Sequence, residues 1–141
     1  MPPSHTNTAG PMPRFLHVLT AIHAVGAVAC FVMAAGSAIS EEFRSGLAVS
    51  GGSALMLAIF GERTWAFLLF VGIVLAVLAY ASWRRRWWAW SMTLIVYGIG
   101  VLGSLWQVSQ GIPQGWVAAV VNGAVLVYAV RPTVRRPYTG W

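Results

Sequence analysis

The sequence predicts an all-α fold: a four-helix transmembrane bundle with both termini cytoplasmic and an extracytoplasmic helical or re-entrant segment between helices 1 and 2. Three observations lead there. Hydrophobic residues make up 58% of the 141 residues and charged residues only 9%, against roughly 25% charged in an average soluble domain. Four apolar runs, at 15–39, 65–82, 87–107 and 112–130, are separated by polar or Gly-containing breaks. The charges sit at the ends of these runs and are distributed unequally between alternate ends.

A helix needs roughly 20 residues to cross a ~30 Å hydrocarbon core, with about 17 as the lower limit. The first and third runs meet this, the second lies near the limit, and the fourth spans only if the turn at Pro113 is included. Only helices or closed barrels satisfy the backbone in hydrocarbon, and the runs lack the alternation of barrel strands. The first run begins after a polar stretch, and Ala35-Gly36-Ser37-Ala38 loosely resembles a signal-peptidase site. The run is longer than an h-region of roughly 7–15 residues, so it is expected to stay as a transmembrane helix.

The segment 41–64 is the awkward one. It carries Leu47, Val49 and an apolar run at 54–60, broken by Gly51-Gly52 and closed by Gly61-Glu62-Arg63. As a fifth span it is too short, and it would reverse the Arg84-Arg85-Arg86 turn to the outside. An extracytoplasmic helix or re-entrant hairpin is expected, with extension of the second helix beyond the membrane as the alternative.

Charge orients the runs. Arg14, the Arg84-Arg85-Arg86 turn, and Arg131, Arg135 and Arg136 fall on one side without an acid. Arg44 and Arg63 fall on the other with Glu41, Glu42 and Glu62. Excess Arg marks the cytoplasmic side, and Trp residues near the run ends form an interfacial belt. The chain therefore divides into a cytoplasmic tail (1–14), a transmembrane domain (15–130) and a basic cytoplasmic tail (131–141). The high pI of 10.8 does not point to nucleic acid, because the arginines flank apolar runs and form no face on a soluble body.

Small residues set the expected packing. Gly26, Cys30, Ala34 and Ala38 repeat every four residues on the first helix. Gly72 with Ala76, Gly100 with Ser104, and Ala119 with Gly123 offer grooves on the other three.

Polar residues within the runs are the candidates for function. His17 and His23 are six apart, about 240° around a helix, so they share no face. His23 lies beside the small-residue ridge, where an imidazole either hydrogen-bonds across helices or ligates a haem iron or chlorophyll magnesium. Asn122 sits mid-run and is expected to bond another helix, because an unpaired amide in hydrocarbon is costly. Arg84, Arg85, Arg86, Arg131, Arg135 and Arg136 match lipid headgroup phosphates. No His, Asp or Glu cluster has metal-ligand spacing. Cys30 and His23 are about 10 Å apart along a helix, too far for a nucleophile and its base. No carboxylate falls within a run to serve proton-coupled transport. A non-enzymatic protein is expected.

The stretch Ala79-Tyr80-Ala81-Ser82-Trp83-Arg84-Arg85-Arg86-Trp87-Trp88-Ala89-Trp90 resembles the aromatic-basic hairpin of a widespread group of uncharacterised bacterial four-helix membrane proteins. Their last helix commonly ends in an Asn-containing run and a pattern like R-P-x-V-R-x-x-F. Here Asn122-Gly123 leads to Arg131-Pro132-Thr133-Val134-Arg135-Arg136-Pro137-Tyr138, with Tyr138 in place of Phe. The resemblance covers about 65–138 and implies a multi-pass four-helix protein of the bacterial cytoplasmic membrane, with no catalytic residues to carry over.

The expected role is an accessory or stabilising subunit of a larger respiratory or photosynthetic membrane complex, contacting lipids and other membrane subunits through its many interfacial Trp. The alternative is a free-standing oligomeric protein that handles lipids or solutes around Asn122, which calls for a polar cavity.

Overall fold

The computed structural model describes residues 14–49 and 59–139, and every regular element among them is helical. The N-terminal tail up to residue 13, the Gly51-Gly52 break with the apolar residues that follow it to Ala58, and the last two residues lie outside the described part. The helices are α1 (Arg14–Ile39), α2 (Glu41–Val49), α3 (Thr64–Trp83), α4 (Trp87–Ser109), α5 (Gly115–Val130) and α6 (Pro132–Thr139). A single 3₁₀ turn, Gly61–Arg63, leads directly into α3.

Three segments, His17–Ile39, Gly61–Trp83 and Trp87–Ser109, are long and apolar enough to cross a membrane. The fourth apolar helix, α5, has 16 residues, about 24 Å at 1.5 Å per residue. It starts three residues later than the apolar run because the Gln110–Gln114 turn consumes Ile112 and Pro113.

The turns have local causes. The end of α3 is a Schellman motif in which the Arg86 N–H donates to the Ala81 carbonyl and the Arg85 N–H to that of Ser82. Arg85 takes the left-handed position that such a turn requires, with φ of 52°. A non-glycine residue is strained there. The end of α4 repeats the motif with the usual residue, Gly111 at φ 78°. Between α1 and α2, Ser40 caps the new helix by accepting the Phe43 N–H at 3.1 Å. Glu41 and Glu42 occupy its first turn, where the helix dipole favours acids. The segment after α1 is thus helical to Val49, and its far end extends α3 by the 3₁₀ turn.

The four apolar helices pack as two antiparallel pairs. In the first, α1 runs against α3: His17 meets Trp83 edge-on, Gly26 faces Leu75, and Gly72 is covered by Cys30 and Phe31. In the second, α4 runs against α5: Trp90 Nε1 donates to the Ala129 carbonyl at 2.9 Å, and Gly100 lies under the Asn122 amide. Contact within each pair is extensive, whereas α3 and α4 touch over a short stretch beside their shared turn.

The packing stripe of α1 is rotated from the expected ridge. Leu19, His23, Ala27, Ala34 and Ser37 are its buried residues and Cys30 is half-buried, while Ala38 is exposed. Spacings that alternate between four and three residues follow a left-handed crossing, and a strict four-residue repeat drifts off it. A Cβ added at Gly123, expected in a groove, would meet nothing within 4 Å.

The segment expected as a basic tail forms α6 between Pro132 and Thr139. Val134 and Tyr138, four residues apart on one face, are buried in a cluster with Leu19, Ala81 and Ala89. Its arginines, Arg135 and Arg136, remain exposed. The antiparallel order places the start of α1, the α3–α4 turn, the end of α5 and α6 at one end, which gathers Arg14, Arg84, Arg85, Arg86, Arg131, Arg135 and Arg136. Arg44 and Arg63 lie at the other with Glu41, Glu42 and Glu62.

Gly115 closes the α4–α5 hairpin, since a Cβ there would lie 2.7 Å from the Ser104 carbonyl oxygen. Backbone cannot yield as a side chain does. Gly115→Ala should therefore cost about 1–3 kcal/mol through overpacking, read as a lower melting temperature in mild detergent; Gly123→Ala should leave it nearly unchanged.

Candidate functional site

The helix pairs are joined by a buried polar junction. His23 on α1, Ser82 on α3 and Thr93 on α4 are all fully buried. His23 Nδ1 lies 3.5 Å from Ser82 Oγ, and Nε2 lies 3.3 Å from Thr93 Oγ1. The Thr93 hydroxyl donates to the Ala89 carbonyl of its own helix at 2.8 Å, so its oxygen is left to accept. Hydrogen inventory then orders the chain. Nε2–H donates to Thr93, and Nδ1 accepts from the Ser82 hydroxyl. A neutral imidazole completes the set and ties three helices together.

This arrangement answers one of the two readings of His23. A haem iron or chlorophyll magnesium would need a ring nitrogen directed at an opening wide enough for a macrocycle. Both nitrogens face hydroxyls, and the Tyr97 ring lies 5.7 Å from the imidazole, centroid to centroid. The residues around His23 do not fit such a group. Among the described residues no group of three or more His, Cys, Asp or Glu side chains could hold a metal ion.

Beyond the junction the pairs diverge and enclose a cleft of about 980 Å³. Its walls come from all four apolar helices, with Val25 and Ala29 on α1, Val74 on α3, Ile99 on α4 and Val121 on α5 among them. Val25, Phe70, Ile99 and Val121 are each more than half exposed, so the cleft opens sideways. No charged residue lines it. Cys30, Tyr97 and Asn122 are the lining side chains that carry a polar atom. The volume lies at the upper end of ligand cavities, roughly 300–1,000 Å³.

Asn122 differs from its expected role as an interhelical bond. Its Nδ2 donates to the Ala118 carbonyl of its own helix at 2.8 Å. Its contact with α4 is packing, the amide lying flat over Gly100, where a Cβ would come within 2.9 Å. One turn of backbone satisfies the amide, and the missing side chain at Gly100 makes room for it.

At the arginine end, Arg84, Arg86, Arg131, Arg135 and Arg136 are exposed and Arg85 is half-buried. Arg135 sits over the Trp90 ring, 5.5 Å from its centroid, a cation–π contact. Burial pushes the Tyr138 phenol above its usual range, opposed in part by Ser82 and Arg85 nearby.

Sequence reasoning missed Ser82, Thr93 and Tyr97. Ser82 stands at the end of one apolar run and Thr93 near the start of the next, where neither position marks a junction. The available signal was the requirement that a buried His must find partners on other helices. The cleft itself had no signal, because its lining is made of the same residues as a lipid-facing surface.

Thr93→Val keeps the shape but strands the imidazole N–H. It should cost about 1 kcal/mol, the scale of one hydrogen bond between membrane helices. His23→Ala also leaves a cavity and should cost about 2–4 kcal/mol; thermal unfolding of both variants in mild detergent checks the order. No protein-family model, no curated protein and no solved structure matches this chain.

Proposed function

We propose that this chain is a four-span protein of the bacterial cytoplasmic membrane, arginine-rich end inside, that binds an apolar chain from the bilayer between its two helix pairs. Its role in this reading is non-catalytic lipid handling. The observation that carries it is the cleft, a sideways-opening, uncharged space with walls from four helices. Methylene groups are the natural filling for such walls, since packing contacts there are made by apolar atoms on both sides. The alternative foreseen from sequence called for a polar cavity. An apolar lining changes the guest from a solute to a lipid.

Several features support the topology. Seven of the nine arginines gather at one end, and Arg44 and Arg63 share the other with the three acids, the bias that the positive-inside rule expects of a four-span chain. Exposed Trp83 and Trp87 stand at the arginine end and Trp65, Trp106 and Trp116 at the other, in two belts. The short α5 crosses with local thinning of the bilayer or with its flanking turn at the interface. The six arginines of the inner end, from Arg84 to Arg136, hold anionic headgroups beside it.

The accessory-subunit reading makes a different use of the same cleft, as the seat of a partner's helix. Purification of the tagged protein from membranes in mild detergent separates the two. Extracted lipid should accompany the wild type and fall several-fold in Ala29→Trp, whose indole fills the cleft. Equal lipid in both, with another protein at fixed stoichiometry, would overturn lipid handling in favour of the subunit role.

Topology has its own check. A green fluorescent protein fused at the C-terminus should fluoresce, and alkaline phosphatase inserted at Gly46 should be active. The reverse pattern would turn the protein over.

A further inference from the structure

The position of Asn122 narrows the guest. It stands at the middle of α5, seven residues from Gly115 and eight from Val130, so about 10–12 Å from either end. A phospholipid lying in the cleft keeps its ester and phosphate groups at the interface and presents only methylenes at that depth. An amide at mid-membrane has nothing to offer a methylene. Leu or Val would serve the same wall at no desolvation cost.

The amide has bonding capacity left over. Of its two N–H donors one goes to Ala118, and the second, with the carbonyl oxygen, has no partner among the described residues. Tyr97, one turn before Gly100 on α4, is among the residues that line the same cleft and adds a phenol to it. The surroundings are also low in relief. On α1, Ala21 and Ala29 line the cleft with a single methyl each. The cleft has no charge to neutralise an ionised head, which at this depth would be strongly disfavoured.

These features together describe a neutral, flat group that accepts hydrogen bonds and travels inside the hydrocarbon layer on an apolar tail. Resting on the lipid-handling reading, we propose that the cleft takes a prenyl quinone. The ring lies beside the Asn122 amide with a carbonyl oxygen at its second N–H, and the prenyl tail runs along the aliphatic wall. The Tyr97 phenol serves as a second donor. The chain carries or shelters the quinone, and no bond is made or broken.

The test uses the full chain in nanodiscs, with a short-tailed menaquinone as probe and squalene and phosphatidylglycerol as comparisons. Menaquinone should bind once per chain and compete with squalene. Asn122→Leu, which exchanges an amide for an apolar group of similar size, should weaken menaquinone about fivefold, the factor carried by one hydrogen bond between membrane groups. Tyr97→Phe should act in the same direction, and neither variant should weaken squalene.

Equal binding of menaquinone and squalene, unchanged by Asn122→Leu, would overturn the quinone proposal and leave the apolar cleft as a general lipid site. Binding of neither, with Ala29→Trp indistinguishable from wild type, would overturn the lipid-handling reading as well. Retained thermal stability of Asn122→Leu separates a lost contact from a lost fold.

Discussion

The imidazole of His23 meets the Ser82 hydroxyl of α3 with one nitrogen and the Thr93 hydroxyl of α4 with the other. Much of the remaining architecture depends on this bridge. Between helices in hydrocarbon there is no hydrophobic driving force, so association relies on close packing and hydrogen bonds. Each pair has its own packing: Gly72 under Cys30 and Phe31 in one, Gly100 and Gly115 in the other. Between the pairs the contacts are fewer. The polar junction therefore fixes where the pairs meet, and the Val134–Tyr138 face of α6 covers the same end from outside the apolar helices.

Joining two rigid pairs near one end produces a space farther along them. Some of the side chains that face it are small, Ala21 and Ala29 among them. Small residues usually draw helices together in membranes. Gly72 and Gly115 do that here, within the pairs. Gly100 instead accommodates a side chain, the Asn122 amide, and so leaves the cleft with one polar group at mid-depth. The same residue type serves closure in one place and openness in another, according to what faces it.

The two ends carry different chemistry for a related reason. Arginines decorate α6 and the α3–α4 turn, so the end closed by the junction is also the arginine-rich end. Arg85 accepts a left-handed backbone where Gly111 takes the same role at the opposite end. That strain, of roughly 1–2 kcal/mol, is the cost of keeping an Arg triplet in a tight turn. Arg135 rests on Trp90, which itself holds the end of α5, so α6 is linked to both members of the second pair.

The sequence by itself determined the helices. Uninterrupted apolar runs, arginines at their ends and Gly or polar breaks are local signals, and hydrocarbon leaves the backbone little alternative. The run boundaries agree with α1, α3 and α4 to within two residues, and α5 was shortened by the Pro113 turn. Sequence also singled out His23 and Asn122, because polar side chains in such runs are few. Only the tertiary structure decided what each of them does. The bonds of His23 depend on Ser82 and Thr93, 59 and 70 residues away, and no local pattern marks such pairs. Asn122 turned to its own backbone because Gly100 faces it across the pair. A buried stripe rotated from the four-residue ridge, a tail folded into α6, and a cleft lined like a lipid surface are likewise products of crossing angle and contact. Composition limits a chain to helices in a membrane, but the angle between helix pairs is set by which side chains meet.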